Sequence, residues 1–167
     1  VSTQFEHKAV LEPLTFLESK GFEITLIRPR PDGLIDPAAV RSALRDDTLL
    51  VSVMQVNNET GVRQPIGTLA DLLADHPAFF HVDAAQGFGK DILSLQNERI
   101  DFTSISGHKI YAPKGIGALI ARRRGYSRIP LEPLVYGGGQ ERGLRAGTLP
   151  VHLIVGLGLA SEIALRD

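Results

Sequence analysis

The segment "TLLVSVMQV", Thr48 to Val56, is apolar at almost every position and rich in β-branched residues. Such a run reads as a strand buried on both faces, and burying both faces requires helices above and below. The flanking patterns supply them. "AVLEPLTFLESKG", Ala9 to Gly21, spaces its apolar residues at helical intervals and stops at Gly21, a C′ cap. Pro13 is placed near the start of that helix, where a missing N–H costs little. "FEITLI", Phe22 to Ile27, alternates as a strand. "IDPAAVRSAL" offers Asp36 as N-cap and Pro37 at the first helical position. Gln64 to His76 is helical, "AFFHV" (Ala78 to Val82) a short strand, and "DFTSIS" and "GIGALIA" two more. Leu149 to Leu165 is an apolar helix. Strands alternating with helices predict an α/β fold: a three-layer α/β/α sandwich around a mainly parallel sheet.

Ligands of such sheets sit beyond the carboxyl ends of the strands. The Thr48–Val56 strand delivers Asn57, Asn58 and Glu59; "AFFHVDAAQ" delivers Asp83 and Gln86; "DFTSISGHK" delivers Ser106, His108 and Lys109. The stretch from Ala84 to Ile100 is longer than the roughly dozen residues a parallel crossover needs, so Asp83 and Lys109 can open on one edge. An aspartate and a lysine so placed suit pyridoxal phosphate. The lysine amine condenses with the aldehyde, and the carboxylate keeps the pyridine nitrogen protonated so the ring accepts electrons. Ser106 and His108 are donors suited to the phosphate. Each residue also has an ordinary role. Asp83 can cap "AAQGFG", Asn58 can turn the chain ahead of Gly61, and His108 and Lys109 can point into water. His7 can be a first-turn helix residue, and Gly137, Gly138 and Gly139 a plain turn.

Composition narrows the alternatives. With 167 residues, 43% hydrophobic and 22% charged, the chain suffices for one domain with a real core. A net charge of −1 favours neither nucleic acid nor an anionic membrane, and no apolar run approaches a membrane span. The absence of cysteine excludes disulfides and thiolate metal ligands, and fits a reducing, cytoplasmic setting. No metal site is expected. A chain that opens on Val1 with strand-like residues and closes in an unfinished helical pattern reads as an excerpt of a longer polypeptide.

"EHKAV", "VNNETGVRQPI", "HVDAAQGFGK", "SGHKIYAPKGIGAL" and "GGGQERGLRAGTLPVH" together resemble the cysteine desulfurases, which are fold-type I, class V pyridoxal-phosphate enzymes. The resemblance runs from about Thr3 to about Ala164 and implies specific roles. Lys109 would hold the cofactor as a Schiff base and Asp83 would pair with its pyridine nitrogen. Gln86 and Asn58 would bond its phenolic oxygen. His7 would stack on the ring and assist proton transfer. Ser106 and His108 would bind the phosphate, joined by Thr148 from the partner subunit of a homodimer. Members convert L-cysteine to L-alanine and pass the sulfur as a persulfide to acceptor proteins, for iron–sulfur clusters, thiolated tRNA or sulfur-modified DNA. The resemblance also implies that residues 1–167 are the core of the large domain. The amino-terminal segment, the small domain, the acceptor cysteine and the arginine for the substrate carboxylate would lie outside them. A related class V enzyme, such as a selenocysteine lyase or aminotransferase, shares the cofactor residues. An inactive fragment or interaction module is the reading without catalysis.

Overall fold

A computed structural model describes residues 1–125 and 130–166. The strands are β1 (Ser2–Thr3), β2 (Leu26–Ile27), β3 (Leu50–Met54), β4 (Phe79–Asp83), β5 (Phe102–Ser106) and β6 (Gly117–Ala121). The helices are α1 (Lys8–Glu18), α2 (Pro37–Ala43), α3 (Ile66–Leu72) and α4 (Val151–Arg166), with 3-10 turns at Leu93–Gln96, Gly107–Ile110 and Gln140–Gly143. Strands β3, β4 and β5 are parallel neighbours, and β6 closes the sheet antiparallel to β5. β1 pairs with β2 and is tied to β3 by the Ser52 N–H on the Val1 carbonyl (3.0 Å). The mainly parallel α/β sheet expected from the sequence is therefore present.

Local chemistry explains most boundaries. Asp36 Oδ1 accepts from the Ala38 N–H (2.9 Å) and Pro37 opens α2, as its sequence predicts. The Gly21 N–H reaches the Glu18 carbonyl (3.0 Å) and the Phe22 N–H reaches Leu17 (3.2 Å). With Gly21 at φ +92°, this pair of bonds is a Schellman motif. Two expectations need correction. Pro13 lies in the second turn of α1, which begins at Lys8, so its missing N–H does remove one helical bond. The Phe22–Ile27 strand shrinks to Leu26–Ile27 because β1 offers only Ser2 and Thr3 as partners.

The two faces of the sheet differ. Val51, Val53, Phe80 and Val82 pack with Ile66, Leu69, Ala70 and Leu73 of the α3 region and with Val40 of α2. Burial of large aliphatic and aromatic side chains contributes roughly 1.5–3 kcal/mol each. The opposite face carries Ser52, His81, Asp83 and Ser104, because successive side chains of a strand alternate. Among the described residues, no helix is long and apolar enough to cross a membrane.

At the far end of the sheet, Asp101 staples the starts of β4 and β5. Its carboxylate accepts from the Phe80 N–H (2.7 Å), Arg99 (2.8 Å) and Arg124 (2.6 and 2.8 Å). The two guanidiniums extend to the carbonyls of Leu73, His76, Pro77 and Ala78. Burial disfavours the charged carboxylate, but the Arg124 and Phe80 hydrogen bonds and both positive charges outweigh it, so Asp101 titrates below its ordinary range. Asp101→Ala leaves these donors unpaired and is expected to cost about 3–5 kcal/mol of stability, measured by urea unfolding at neutral pH. A loss under about 1 kcal/mol would show the staple to be dispensable.

Candidate active site

Three strand ends meet on the carboxyl edge of the sheet. β3 and β4 are in register at Met54 and Asp83, and β4 and β5 at Asp83 and Ser104. After β3 the chain turns on Asn57. This residue is buried; its Oδ1 accepts from the Glu59 N–H (3.0 Å), the Thr60 N–H (2.9 Å) and the Thr60 hydroxyl (3.1 Å). Its amide donates to the Phe5 carbonyl (3.2 Å), which ties the turn to the segment before His7. Asn58 is thereby held exposed at the edge, its amide on Glu59 (2.9 Å). His7 is the N-cap of α1: its Nδ1 accepts from the Ala9 N–H (3.1 Å), which leaves Nε2 facing outward.

Asp83 ends β4 and is buried. Its Oδ1 accepts from the Ala85 N–H (2.9 Å) and lies 3.5 Å from the Ser104 hydroxyl. Oδ1 is thus committed to the turn, while among the described residues no donor meets Oδ2. The next turn carries Gln86, half-buried and three residues on. Gln55 braces that turn from below: its amide donates to the Asp91 carbonyl (2.6 Å) and Ser94 (2.7 Å). A Cβ on Gly87 would stand 2.0 Å from Gln55 Oε1, so only glycine allows the turn to close on its brace.

β5 runs into the Gly107–Ile110 turn, which presents His108 exposed and Lys109 partly buried. Ser106 Oγ and His108 Nδ1 lie 3.0 Å apart. Lys109 has no hydrogen bond or ion pair among the described residues. Tyr111, immediately after, is held in the left-handed region at φ +66°, a strained setting for a bulky side chain. Helix α4 backs this turn: a Cβ on Gly156 would come within 2.7 Å of Pro113, and one on Gly89 within 3.1 Å of Ala164. Thr148 is exposed, just before α4.

The donor set fits pyridoxal phosphate. Among the described residues, Asp83 Oδ2 is an acceptor without a partner and Lys109 an uncommitted amine, and Ser106 with His108 is a polar pair suited to a phosphate. The sequence reading missed other members of the site. Glu6 was noticed only as part of "EHKAV". Gln55, Ser52, His81 and Ser104 carried no role, although polar residues at period two within apolar strands were visible signals.

The profile of the aminotransferase class-V family matches residues 1–166. The chain belongs to the aminotransferase class-V family. This class-V chain is 50% identical over its whole length to a protein named cysteine desulfurase IscS from Shewanella halifaxensis, and 51% identical to IscS of Vibrio cholerae. It spans 41% of the length of each of these curated relatives. Among solved structures, DndA from Streptomyces lividans superposes with a TM-score of 0.95 at 55% identity, over 99% of this chain and 47% of DndA. SspA in complex with cysteine gives 0.87 at 47% identity, over 96% of this chain and 46% of SspA.

Glu6 gives the class-V chain a pH signature. It is buried, accepts through Oε1 from the Thr3 hydroxyl (2.5 Å) and the Met54 N–H (2.9 Å), and leaves Oε2 buried without a partner. Desolvation pushes its pKa up to about 7; the two hydrogen bonds pull the other way, and the charge of Asp83 adds to the rise. The folded chain therefore holds this proton more tightly than the unfolded chain, and stability falls as pH rises from 4.5 to about 7. Glu6→Gln is expected to remove this dependence, gaining on the order of 3 kcal/mol over wild type at pH 8 and nothing below pH 4.5. Urea unfolding at both pH values checks it. An unchanged pH slope in the variant would mean that Glu6 is ionised in the folded chain.

Proposed function

We propose that this chain is the core of the large domain of a cysteine desulfurase and carries its pyridoxal-phosphate site. The supporting observation is that Asp83 ends β4 in register with Ser104 of the parallel neighbour β5, whose own end opens into the Lys109 turn, with Oδ1 of the aspartate bonded and Oδ2 left for the cofactor nitrogen. The identity to the IscS proteins and the likeness to SspA in complex with cysteine favour L-cysteine as substrate.

When bound, the cofactor ring draws electron density away from the substrate. The chain's own groups prepare for that. Asp83 Oδ2 holds the proton on the pyridine nitrogen, because a carboxylate stabilises a facing cation. Lys109 would hold the cofactor through its aldehyde, and its amine would be the group that carries a proton at the α-carbon. Ser106 and His108 orient the phosphate. Asn58 and Gln86 would hold the phenolic oxygen. His7 covers the ring, its outward Nε2 available for a proton because Nδ1 is engaged by Ala9.

In the overall reaction, an acceptor thiol attacks the cysteine sulfur. The Cβ–S bond breaks and an S–S bond forms. The electron pair stays on carbon, and the thiol's proton completes the methyl group of alanine. No external reductant is needed. The 167 residues contain no cysteine, so the attacking thiol is supplied from outside them. That thiol delivers sulfur to an acceptor protein, and a reducing cytoplasm keeps it competent.

We also assign Thr148 to the phosphate of a homodimer partner, from the resemblance of "RAGTLP" to the cysteine desulfurases and its exposed place just before α4. Two outcomes test these assignments on the full-length protein. Borohydride reduction of the cofactor-loaded protein followed by peptide mass spectrometry should place a pyridoxyl group on Lys109; an adduct on Lys90 or Lys114 contradicts the site. Mixing Lys109→Ala subunits with Thr148→Ala subunits should restore activity at one site per heterodimer, because a site built in trans then has both residues intact. Absence of recovery in a verified heterodimer would place Thr148 in cis, and an active Thr148→Ala homodimer would place it outside the site.

A further inference from the structure

The polar face of the sheet carries a line of side chains that the reaction above leaves unused. Ser52 on β3, His81 on β4 and Ser104 on β5 stand side by side, and Asp83 lies two residues beyond His81 on the same face. Ser52 Oγ is 2.8 Å from His81 Nδ1, His81 Nε2 is 3.1 Å from Ser104 Oγ, and Ser104 Oγ is 3.5 Å from Asp83 Oδ1.

The direction of these contacts follows from what each group can do. An ionised carboxylate only accepts, so the Ser104 hydroxyl donates to Oδ1. The Ser104 oxygen then receives a proton donor from His81, which puts the ring hydrogen on Nε2. Nδ1 is left as a lone pair, and Ser52 donates to it. Ser52 is only 3% exposed, so its hydroxyl needs a protein partner. Every donor in the line points toward Asp83. The line ends on the oxygen that already accepts from the Ala85 N–H, not on the free one.

We propose that His81 is a positioning residue for Asp83: as the neutral Nε2–H tautomer between Ser52 and Ser104, it fixes Oδ1 and keeps Oδ2 aimed at the cofactor nitrogen. This rests on the reading of Asp83 as partner of that nitrogen. Neutrality matters to the assignment. An imidazolium so close to Asp83 would compete with the pyridinium for the same negative charge. Burial lowers the basicity of His81, and the charge of Asp83 offsets this only in part. The groups that face this line are Ser52 from β3, Phe102 and Ser104 from β5, and Asp83 on β4. The Glu6 carboxyl, on the Met54 N–H, lies next to Asp83. A histidine that merely fills space between two strands would share the burial but not the direction of the hydrogen bonds.

The test uses the full-length protein loaded with pyridoxal phosphate labelled with 15N at the ring nitrogen. The 15N shift, followed between about pH 6 and 9, reports protonation of that nitrogen, with histidine's ordinary value of about 6.5 inside the range. Wild type and His81→Gln, whose amide can still donate to Ser104, are expected to titrate alike. His81→Phe and Ser104→Ala are expected to lower the proton affinity of the ring nitrogen about tenfold or more, while Lys109 still forms its borohydride-trapped adduct. Should His81→Phe not fold, Ser104→Ala, which removes one hydroxyl, decides the matter. Ser104→Ala titrating as wild type overturns the proposal, and the trapped adduct shows that the cofactor site itself stands. In the same samples, 15N-histidine spectra are expected to show His81 neutral with its proton on Nε2. A proton on Nδ1, or an imidazolium at neutral pH, also overturns it. A wild-type protein that takes up no cofactor refutes the site reading and this inference together.

Discussion

The main chain around Asp83 is bonded on both sides. Its carbonyl accepts from the Gln55 N–H (2.8 Å), and the Ala84 N–H donates to the Ser104 carbonyl (2.9 Å). These two bonds close the parallel ladders of β3 with β4 and β4 with β5 at the edge where the chemistry sits. They fix where the carboxylate leaves the sheet and how far the Gln86 and Lys109 turns stand from it. A one-residue slip of either ladder would turn Asp83 and His81 to the apolar face and bring Val82 to the polar one. The Asp101 staple at the opposite end guards the same register, because Asp101 accepts from the Phe80 N–H while its partners Arg99 and Arg124 donate to the Ala78 carbonyl.

Stability and function pull against each other at this edge. Glu6 keeps a buried oxygen without a partner, Asp83 keeps a carboxylate oxygen for a ligand, and Tyr111 occupies a left-handed backbone position directly behind the lysine turn. Each costs free energy that a purely structural sheet would avoid. The compensation lies in the apolar face, where Phe80, Val51, Val53 and Val82 are essentially inaccessible to solvent. Rigid backing by α4 through Gly156 and by Gln55 through Gly87 then holds the strained turns in place.

Much of this was legible in the sequence. The apolar runs mark β3 to β6, Asp36 and Gly21 mark helix ends, and Asp83 and Lys109 stand at strand ends as the sequence predicts. Short-range chemistry decides all of these. Long-range geometry was not legible. The Phe22–Ile27 strand depended on how much of β1 was available to pair, and Pro13 on where α1 began. The turn ahead of Gly61 is read in the sequence on Asn58; in the structure the buried Asn57 holds that turn and Asn58 is exposed at the edge. His81 read as one polar residue in an apolar strand, because its partners lie on two other strands.

The central claim is that the carboxyl edge of β4 and β5 receives the cofactor with Asp83 divided between two tasks. A crystal structure of the full-length protein with pyridoxal phosphate tests it most directly. The account predicts the ring nitrogen at hydrogen-bond distance from Asp83 Oδ2, about 2.6–3.0 Å, with Oδ1 still on the Ala85 N–H and the aldehyde carbon joined to Lys109. A ring nitrogen facing another residue, or an Asp83 that swings away from Ala85 to reach it, would contradict the account.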